Sequence, residues 1–99
     1  MHNLRIGQLV TSVAGRDAGK HYLVIGTDSD KYVWVVDGKY RKMEKPKRKN
    51  SKHLLGRKSV AEELAKKLHV GEKITNFQVR KVLSDLIAEV EYGHLPDQE

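Results

Sequence analysis

The sequence predicts an α+β protein in which a small antiparallel β-barrel is followed by a basic connector and a C-terminal helical hairpin. Residues 7–44 contain short runs rich in β-branched and aromatic residues, spaced about ten residues apart. From Ser59 onward, the apolar residues instead recur at helical spacing. Pro46 and dense positive charge favour an extended, solvated connector over residues 45–58. These boundaries divide the chain into a barrel with its basic extension, residues 1–58, and a hairpin, residues 59–99.

Four segments of the first half have the composition of strands, namely residues 8–13, 21–25, 32–36 and 40–43. The dipeptide Asp37-Gly38 separates the last two and is a strong signal for a tight type I′ hairpin. Closure into a barrel is favoured because it removes exposed sheet edges. The side chains of Tyr22, Tyr32 and Trp34 are expected to pack in this barrel.

Capping signals predict where the two helices begin. Ser59 and Glu62 form an S-x-x-E capping box for the first helix, for which Gly71 is a stop signal. Thr75 and Gln78 form a second box, and Ile74 and Val79 lie at the positions of a hydrophobic staple. The second helix then carries an apolar stripe and is expected to end near Tyr92-Gly93, before Pro96. Phe77 is expected to pack between the helices.

Positive charge is concentrated in the middle of the chain. Nine of the nineteen Lys and Arg residues lie between Arg41 and Lys58, and Glu44 is the only acid among them, so this segment has a formal charge of +8 against +6 for the whole chain. Concentrated charge of one sign repels itself, and a polyanion is its natural partner. We call these nine residues the basic tract: Arg41, Lys42, Lys45, Lys47, Arg48, Lys49, Lys52, Arg57 and Lys58.

Composition disfavours several other classes of protein. The chain has 99 residues and no cysteine, which excludes disulfides and thiolate metal sites. The N-terminus lacks the apolar region of a secretory signal, and no apolar run is long enough to span a membrane, so we expect a cytoplasmic protein with no membrane partner. The histidines have no metal-ligand spacing, and the acids form no catalytic constellation. We therefore expect neither an enzyme nor a cofactor.

The segment from Gly15 to Lys20, Gly-Arg-Asp-Ala-Gly-Lys, superficially suggests a phosphate-binding loop. A Walker loop requires four residues between its glycines and Ser or Thr after its lysine, whereas this segment has three, and His21 follows. A turn between two strands is the better interpretation, since glycines adopt backbone angles that other residues resist. In this turn Asp17 could accept hydrogen bonds from nearby amides, and Arg16 and Lys20 would project from one end of the barrel.

This turn, preceded by Gly7-x-x-Val10 and followed by an apolar strand, resembles a KOW motif. Together with Val35-Val36-Asp37-Gly38 and the basic tract, residues 4–55 resemble the bacterial KOW-domain RNA-binding proteins, which are related to a KOW-type ribosomal protein of the archaeal and eukaryotic large subunit. The resemblance implies a five-stranded SH3-like barrel that binds RNA, with ribosomal RNA as the expected target, in a ribosomal or ribosome-associated protein of translation.

By position, the resemblance assigns RNA contact to Arg16 and Lys20 in the turn and to the tract residues from Arg41 to Lys52. Tyr40 lies beside Lys39 and Arg41, and an aromatic ring among cations can stack on unpaired bases. His53 ends the tract and could contact phosphate or base. The complete set of candidate RNA-binding residues is Arg16, Lys20, Lys39, Tyr40, Arg41, Lys42, Lys45, Lys47, Arg48, Lys49, Lys52 and His53.

Three alternatives remain open from sequence alone. The tract could be a solvated linker without a partner. The helical half is similar to a helix-turn-helix, which would make the protein a DNA-binding regulator using residues 59–92, but its turn is longer than usual. Its groove-reading residues would be Asn76, Gln78, Arg80, Lys81 and Ser84. A protein adaptor could instead dock a partner protein through the same helices.

Overall fold

Residues 2–92 are described by the computed structural model of the chain. Its elements are β1 (Gln8–Ser12), β2 (His21–Thr27), β3 (Tyr32–Val36), β4 (Lys47–Asn50), β5 (Leu54–Val60), α1 (Glu62–His69) and α2 (Asn76–Tyr92). The strands form one sheet in the order β4-β3-β2-β1-β5, in which every pairing is antiparallel. The α+β class and the order of strands before helices are thus confirmed. Gly93 and Pro96, which the sequence placed at the end of the second helix, lie outside the described residues.

The two faces of the sheet bury separate apolar clusters, because successive side chains of a strand point to opposite faces. On one face, Leu9, Leu23 and Val36 pack with α2 residues such as Val79 and Leu83. The other face buries Val10, Val24, Val33, Val35 and Leu54 together with Tyr22, and within residues 2–92 no helical residue joins this second cluster. The helices therefore cover only one face of the sheet.

The predicted connector over residues 45–58 is wrong, because this segment contributes two strands to the sheet. β4 pairs with β3, and β5 pairs with β1. A 3-10 turn, Ser51–His53, joins them, and the Asn50 side chain accepts a hydrogen bond of 3.0 Å from the Lys52 amide at its start. The dense positive charge suggested a solvated segment, but the lysines of β4 are neutralised by an acid from a distant turn.

The predicted strand over residues 40–43 is also wrong. One carboxylate oxygen of Asp37, Oδ1, accepts hydrogen bonds from the backbone amides of Lys39, Tyr40 and Arg41 at 2.7–2.9 Å. Gly38 adopts a positive φ of 79° within this turn. Because these amides donate to the Asp37 side chain, they do not pair with a neighbouring strand, and the chain bends here.

Only one of the two predicted capping boxes forms. Ser59 lies in β5 and donates a hydrogen bond to Glu89 on α2, and α1 begins after Ala61 without a side-chain cap. The Thr75 box is confirmed: Gln78 Oε1 accepts from the Thr75 amide at 2.8 Å, and Thr75 Oγ1 accepts from the Gln78 amide at 3.1 Å. This box begins α2.

Contacts at the start of α2 correct one prediction and confirm another. Ile74 and Val79 are both buried in the core that the helices share with the sheet, as the staple predicted. Phe77 is 64% exposed, so its predicted place between the helices is wrong. The reason is that Val79, Leu83 and Leu86 form the buried side of α2, and Phe77 lies on the opposite side of the helix.

Candidate nucleic-acid interface

The glycine segment forms the turn between β1 and β2, as the sequence predicted. Gly15 and Gly19 have positive φ angles of 79° and 92°, which favour glycine. The Gly19 amide donates to the Ser12 carbonyl at 2.7 Å, which closes the turn across the ends of the two strands. Arg16 and Lys20 are exposed on this turn.

Asp17 in this turn does not bind the amides that the sequence suggested, but lies at the centre of a buried polar cluster. Its carboxylate accepts hydrogen bonds from the hydroxyls of Ser12 at 3.0 Å and Tyr22 at 2.9 Å. It also accepts from the ammonium groups of Lys47 and Lys49, each at 3.2 Å. We call these five residues the Asp17 cluster.

The electrostatics of the Asp17 cluster favour a charged carboxylate and a neutral phenol. Burial by itself would raise the pKa of Asp17, but the hydrogen bonds from Tyr22, Lys49, Ser12 and Lys47 outweigh it and hold that pKa well below its ordinary range. Burial raises the pKa of Tyr22 to about 12, and the hydrogen bond to Asp17 and its negative charge act in the same direction. The cluster is therefore an ionised network at neutral pH.

The Asp17 cluster changes how two of the candidate RNA-binding lysines can act. Lys49 is only 8% exposed and its ammonium also donates to Ser12 at 3.2 Å, so its charge is directed into the protein. Lys47 is half-buried and shares the same carboxylate. Both lysines join β4 to the glycine turn, a role that the sequence did not suggest.

The turn and the tract meet at one basic cavity of about 580 Å³. Seven of the twelve candidate RNA-binding residues line it, although they come from four separate segments of the chain. The lining also includes Asp17 and Asp37, two residues that sequence reasoning did not place in the site. The seven candidates are Arg16, Lys20, Tyr40, Arg41, Lys47, Lys49 and His53.

Positive charge dominates this cavity. Five Lys and Arg residues line it against two carboxylates. Asp17 is already neutralised by lysines, and Asp37 Oδ1 is bound to three backbone amides. In the part of the chain that the structure describes, Arg16, Lys20 and Arg41 form no ion pair with a carboxylate. Their charges remain available to an anion.

Tyr40 is the most exposed aromatic residue of the described chain, at 73%. The ammonium groups of Lys39 and Lys20 lie 5.1 Å and 5.6 Å from the centre of its ring. Cations at this distance are attracted to the face of an aromatic ring. An exposed ring with cations beside it is suited to stacking on a nucleotide base while the cations bind the adjacent phosphates.

Five of the twelve candidate residues do not line the basic cavity, and one of them, Lys39, lies beside the Tyr40 ring. Lys42 and Lys45 are exposed in the loop between β3 and β4, and Lys52 lies in the 3-10 turn beside Lys31. Arg48 forms an ion pair with Asp28 and its guanidinium lies 3.7 Å from the centre of the Tyr32 ring. Exposed as they are, Lys42, Lys45 and Lys52 extend the positive surface beyond the cavity.

The start of α2 is attached to the loop that carries Tyr40. Asn76 Oδ1 accepts a hydrogen bond from the Met43 amide at 2.8 Å, and its side-chain amide donates to Glu44 at 2.9 Å. The Arg80 guanidinium donates to the Gly38 carbonyl at 2.7 Å. Since Gln78 Oε1 is also bound to Thr75 in the capping box, three of the five proposed groove-reading side chains form hydrogen bonds within the protein.

No helix within residues 2–92 is long and apolar enough to cross a membrane. Among the same residues, no group of three or more histidines and acids is placed to hold a metal ion.

No protein-family model matches this chain. No curated protein matches it either.

Proposed function

We propose that this protein is a non-catalytic RNA-binding protein built on a small SH3-like barrel, and that its target is ribosomal RNA or another ribosome-associated RNA. The observation that carries the proposal is the convergence of the glycine turn and the basic tract on the basic cavity. The resemblance of residues 4–55 to KOW-domain proteins points to the same segments as the RNA-binding surface.

Strand geometry supports the barrel. β4 and β5 are the two outer strands of the sheet, yet a 3-10 turn of three residues joins them. In a flat sheet, four strand spacings of about 4.8 Å would separate the outer strands by roughly 19 Å. A 3-10 turn of this length rises by only about 6 Å. The sheet must therefore curl strongly, which also explains how its second face is buried without a helix.

Charge supports an RNA backbone as the ligand. Arg16 and Lys20 of the glycine turn and Arg41 of the loop between β3 and β4 lie around one cavity without carboxylate partners among residues 2–92. Gathering like charges in this way costs folding free energy unless an anion neutralises them. Phosphates of folded RNA supply several such charges at once, and contacts of this kind orient the RNA without reading its sequence.

The contacts of α2 count against the DNA-binding alternative. A recognition helix must present its first turns to a groove, whereas Asn76 and Arg80 bind the loop between β3 and β4. The apolar stripe of the same helix packs on the sheet. We therefore assign α2 to the support of the RNA-binding loop.

The salt dependence of binding tests the proposal. Each phosphate contact contributes roughly 0.7–0.9 to the slope of log K against log salt. Replacing Arg16 and Arg41 by glutamine should lower the affinity for structured RNA and flatten this slope by about 1.4–1.8. Lys47 and Lys49 are unsuitable for this test because they hold Asp17.

A charge-matched control is available on α1. Replacing Lys66 and Lys67 by glutamine removes the same two charges at positions that do not line the basic cavity. The slope should be unchanged in this variant. Equal slopes in both variants would show that the cavity does not contact the RNA phosphates. Absence of binding to ribosomal RNA or ribosomes in dilute buffer would refute the proposed function.

A further inference from the structure

A second depression lies beside the basic cavity, between α2 and the turn that carries Tyr40. This apolar groove has a volume of about 480 Å³, within the range of small-ligand sites. Its floor is formed by Leu83 and Ile87 of α2, with Ser84 exposed between them. Lys20, Asp37 and Tyr40 line both depressions, so the two are contiguous.

We propose that the apolar groove receives an unpaired RNA base, whose flanking phosphates lie on the cations around it. This inference rests on the proposed function and adds a substrate class to it: RNA with a looped-out or single-stranded nucleotide rather than a continuous duplex.

Charge complementarity selects this occupant. Three cations, Lys20, Lys39 and Arg80, surround the groove although its floor is aliphatic. An apolar peptide would leave these charges without partners, whereas a nucleotide combines an apolar base with an anionic phosphate. Among residues 2–92, Lys20 and Lys39 form no ion pair with a carboxylate.

Geometry at the boundary of the two depressions supports the same ligand. The Tyr40 ring is exposed, and the nearby lysine side chains are long and flexible. A base that stacks on the ring displaces only these side chains, which can then bind the adjacent phosphates. The backbone under Tyr40 is held firmly, because Asp37 binds its amide and Arg80 binds the neighbouring Gly38 carbonyl. The aromatic surface is therefore positioned before the RNA arrives.

A continuous RNA duplex cannot occupy both the basic cavity and the apolar groove. Bases of a paired helix are stacked on their neighbours, and sequence-specific proteins usually contact RNA bases where they are unpaired. Phosphates of a duplex could occupy the basic cavity, but the apolar groove beside it would remain empty. The structure thus predicts a preference for unpaired nucleotides in addition to the electrostatic attraction.

The test compares two RNAs at one salt concentration: a hairpin with an unpaired loop and a blunt duplex with the same number of nucleotides. The wild-type protein should bind the hairpin at least about five-fold more tightly, the lower limit for stacking of one base on an aromatic ring. A 2-aminopurine base in the loop should change its fluorescence on binding. Tyr40→Ala should abolish both effects, whereas Tyr40→Phe should retain them.

A second pair of variants tests the groove itself. Ser84 is exposed, so Ser84→Met should fill the groove without disturbing the core and should reduce the hairpin preference. Ser84→Ala leaves the groove open and serves as the control. If Tyr40→Ala removes the preference but Ser84→Met does not, the base stacks outside the groove and the inference is overturned.

Two remaining outcomes separate this inference from the function on which it rests. Equal, salt-dependent affinity for hairpin and duplex would overturn the base-binding groove and leave the phosphate-binding cavity intact. Failure of the wild-type protein to bind either RNA in dilute buffer would overturn both proposals.

Discussion

Replacement of Asp17 by asparagine would remove the only negative charge of a buried network. Asp17 is 9% exposed, and its carboxylate accepts hydrogen bonds from two hydroxyls and two ammonium groups. Asparagine keeps the shape of the side chain but replaces one acceptor by a donor. The Lys49 side chain would then be buried without its counter-ion.

The expected loss in the free energy of unfolding follows from the missing counter-ion. Removing one partner of a buried ion pair costs about 3–5 kcal/mol of stability, against a total of roughly 5–15 kcal/mol for a typical domain. For a protein of 99 residues, a loss of about 3 kcal/mol lowers the melting temperature by roughly 12 °C or more. Removal of the counter-ion costs less stability at Lys47, because its side chain is 31% exposed and can turn toward water.

Urea unfolding followed by circular dichroism measures the free energy directly. Adding Lys49→Met to Asp17→Asn should recover much of the loss, since an apolar side chain of similar length carries no charge to bury. Glu62→Gln is the control: it breaks the Arg5–Glu62 pair, in which both side chains are at least 60% exposed, and should cost no more than about 1 kcal/mol. A loss below about 1 kcal/mol for Asp17→Asn would refute the assigned role of the cluster.

Three further outcomes are expected. Because the folded-state pKa of Asp17 is depressed, its contribution to the free energy of unfolding is complete above its ordinary pKa of 3.8 and is lost as pH falls through and below that value. The free energy of unfolding measured against pH should show this loss in the wild type and a smaller change at acid pH in Asp17→Asn. Because the folded-state pKa of Tyr22 is raised to about 12, the stabilisation from its neutral phenol is complete below pH 10 and is lost as pH rises from 10 to about 12; tyrosinate absorbance should reveal this late titration and lose it in Tyr22→Phe. Gly38→Ala should destabilise the protein more than Gly19→Ala in urea titrations: both glycines have positive φ, but a Cβ at Gly38 would lie 2.6 Å from the Asn76 carbonyl oxygen, whereas one at Gly19 would meet nothing within 4 Å. Equal losses in the two glycine variants would mean that α2 does not pack tightly on this turn.

Local patterns were sufficient to predict much of the fold. The β1, β2 and β3 segments are rich in the β-branched and aromatic residues of strands, and the Thr75 box with the Ile74–Val79 staple correctly placed the start of α2. The glycine turn was also predictable, because positive φ angles and tight reversals favour glycine. In each case the physical cause acts within a few residues of the chain.

The failed prediction of a solvated connector has a different physical cause, which is contact between distant residues. Lys47 and Lys49 could join a strand because Asp17, some thirty residues earlier, neutralises them. Likewise, the sequence could identify Arg16, Tyr40 and Arg41 one by one as candidate contacts, but not as the lining of one cavity.

By itself the sequence determined the α+β class, the excess of positive charge and the chemistry of the candidate residues. Tertiary structure alone decided which cations are paired internally, which line the basic cavity, and that an apolar groove adjoins Tyr40. The division is physical: backbone angles and capping act over a few residues, whereas burial and ion pairing depend on how the strands bring distant side chains together.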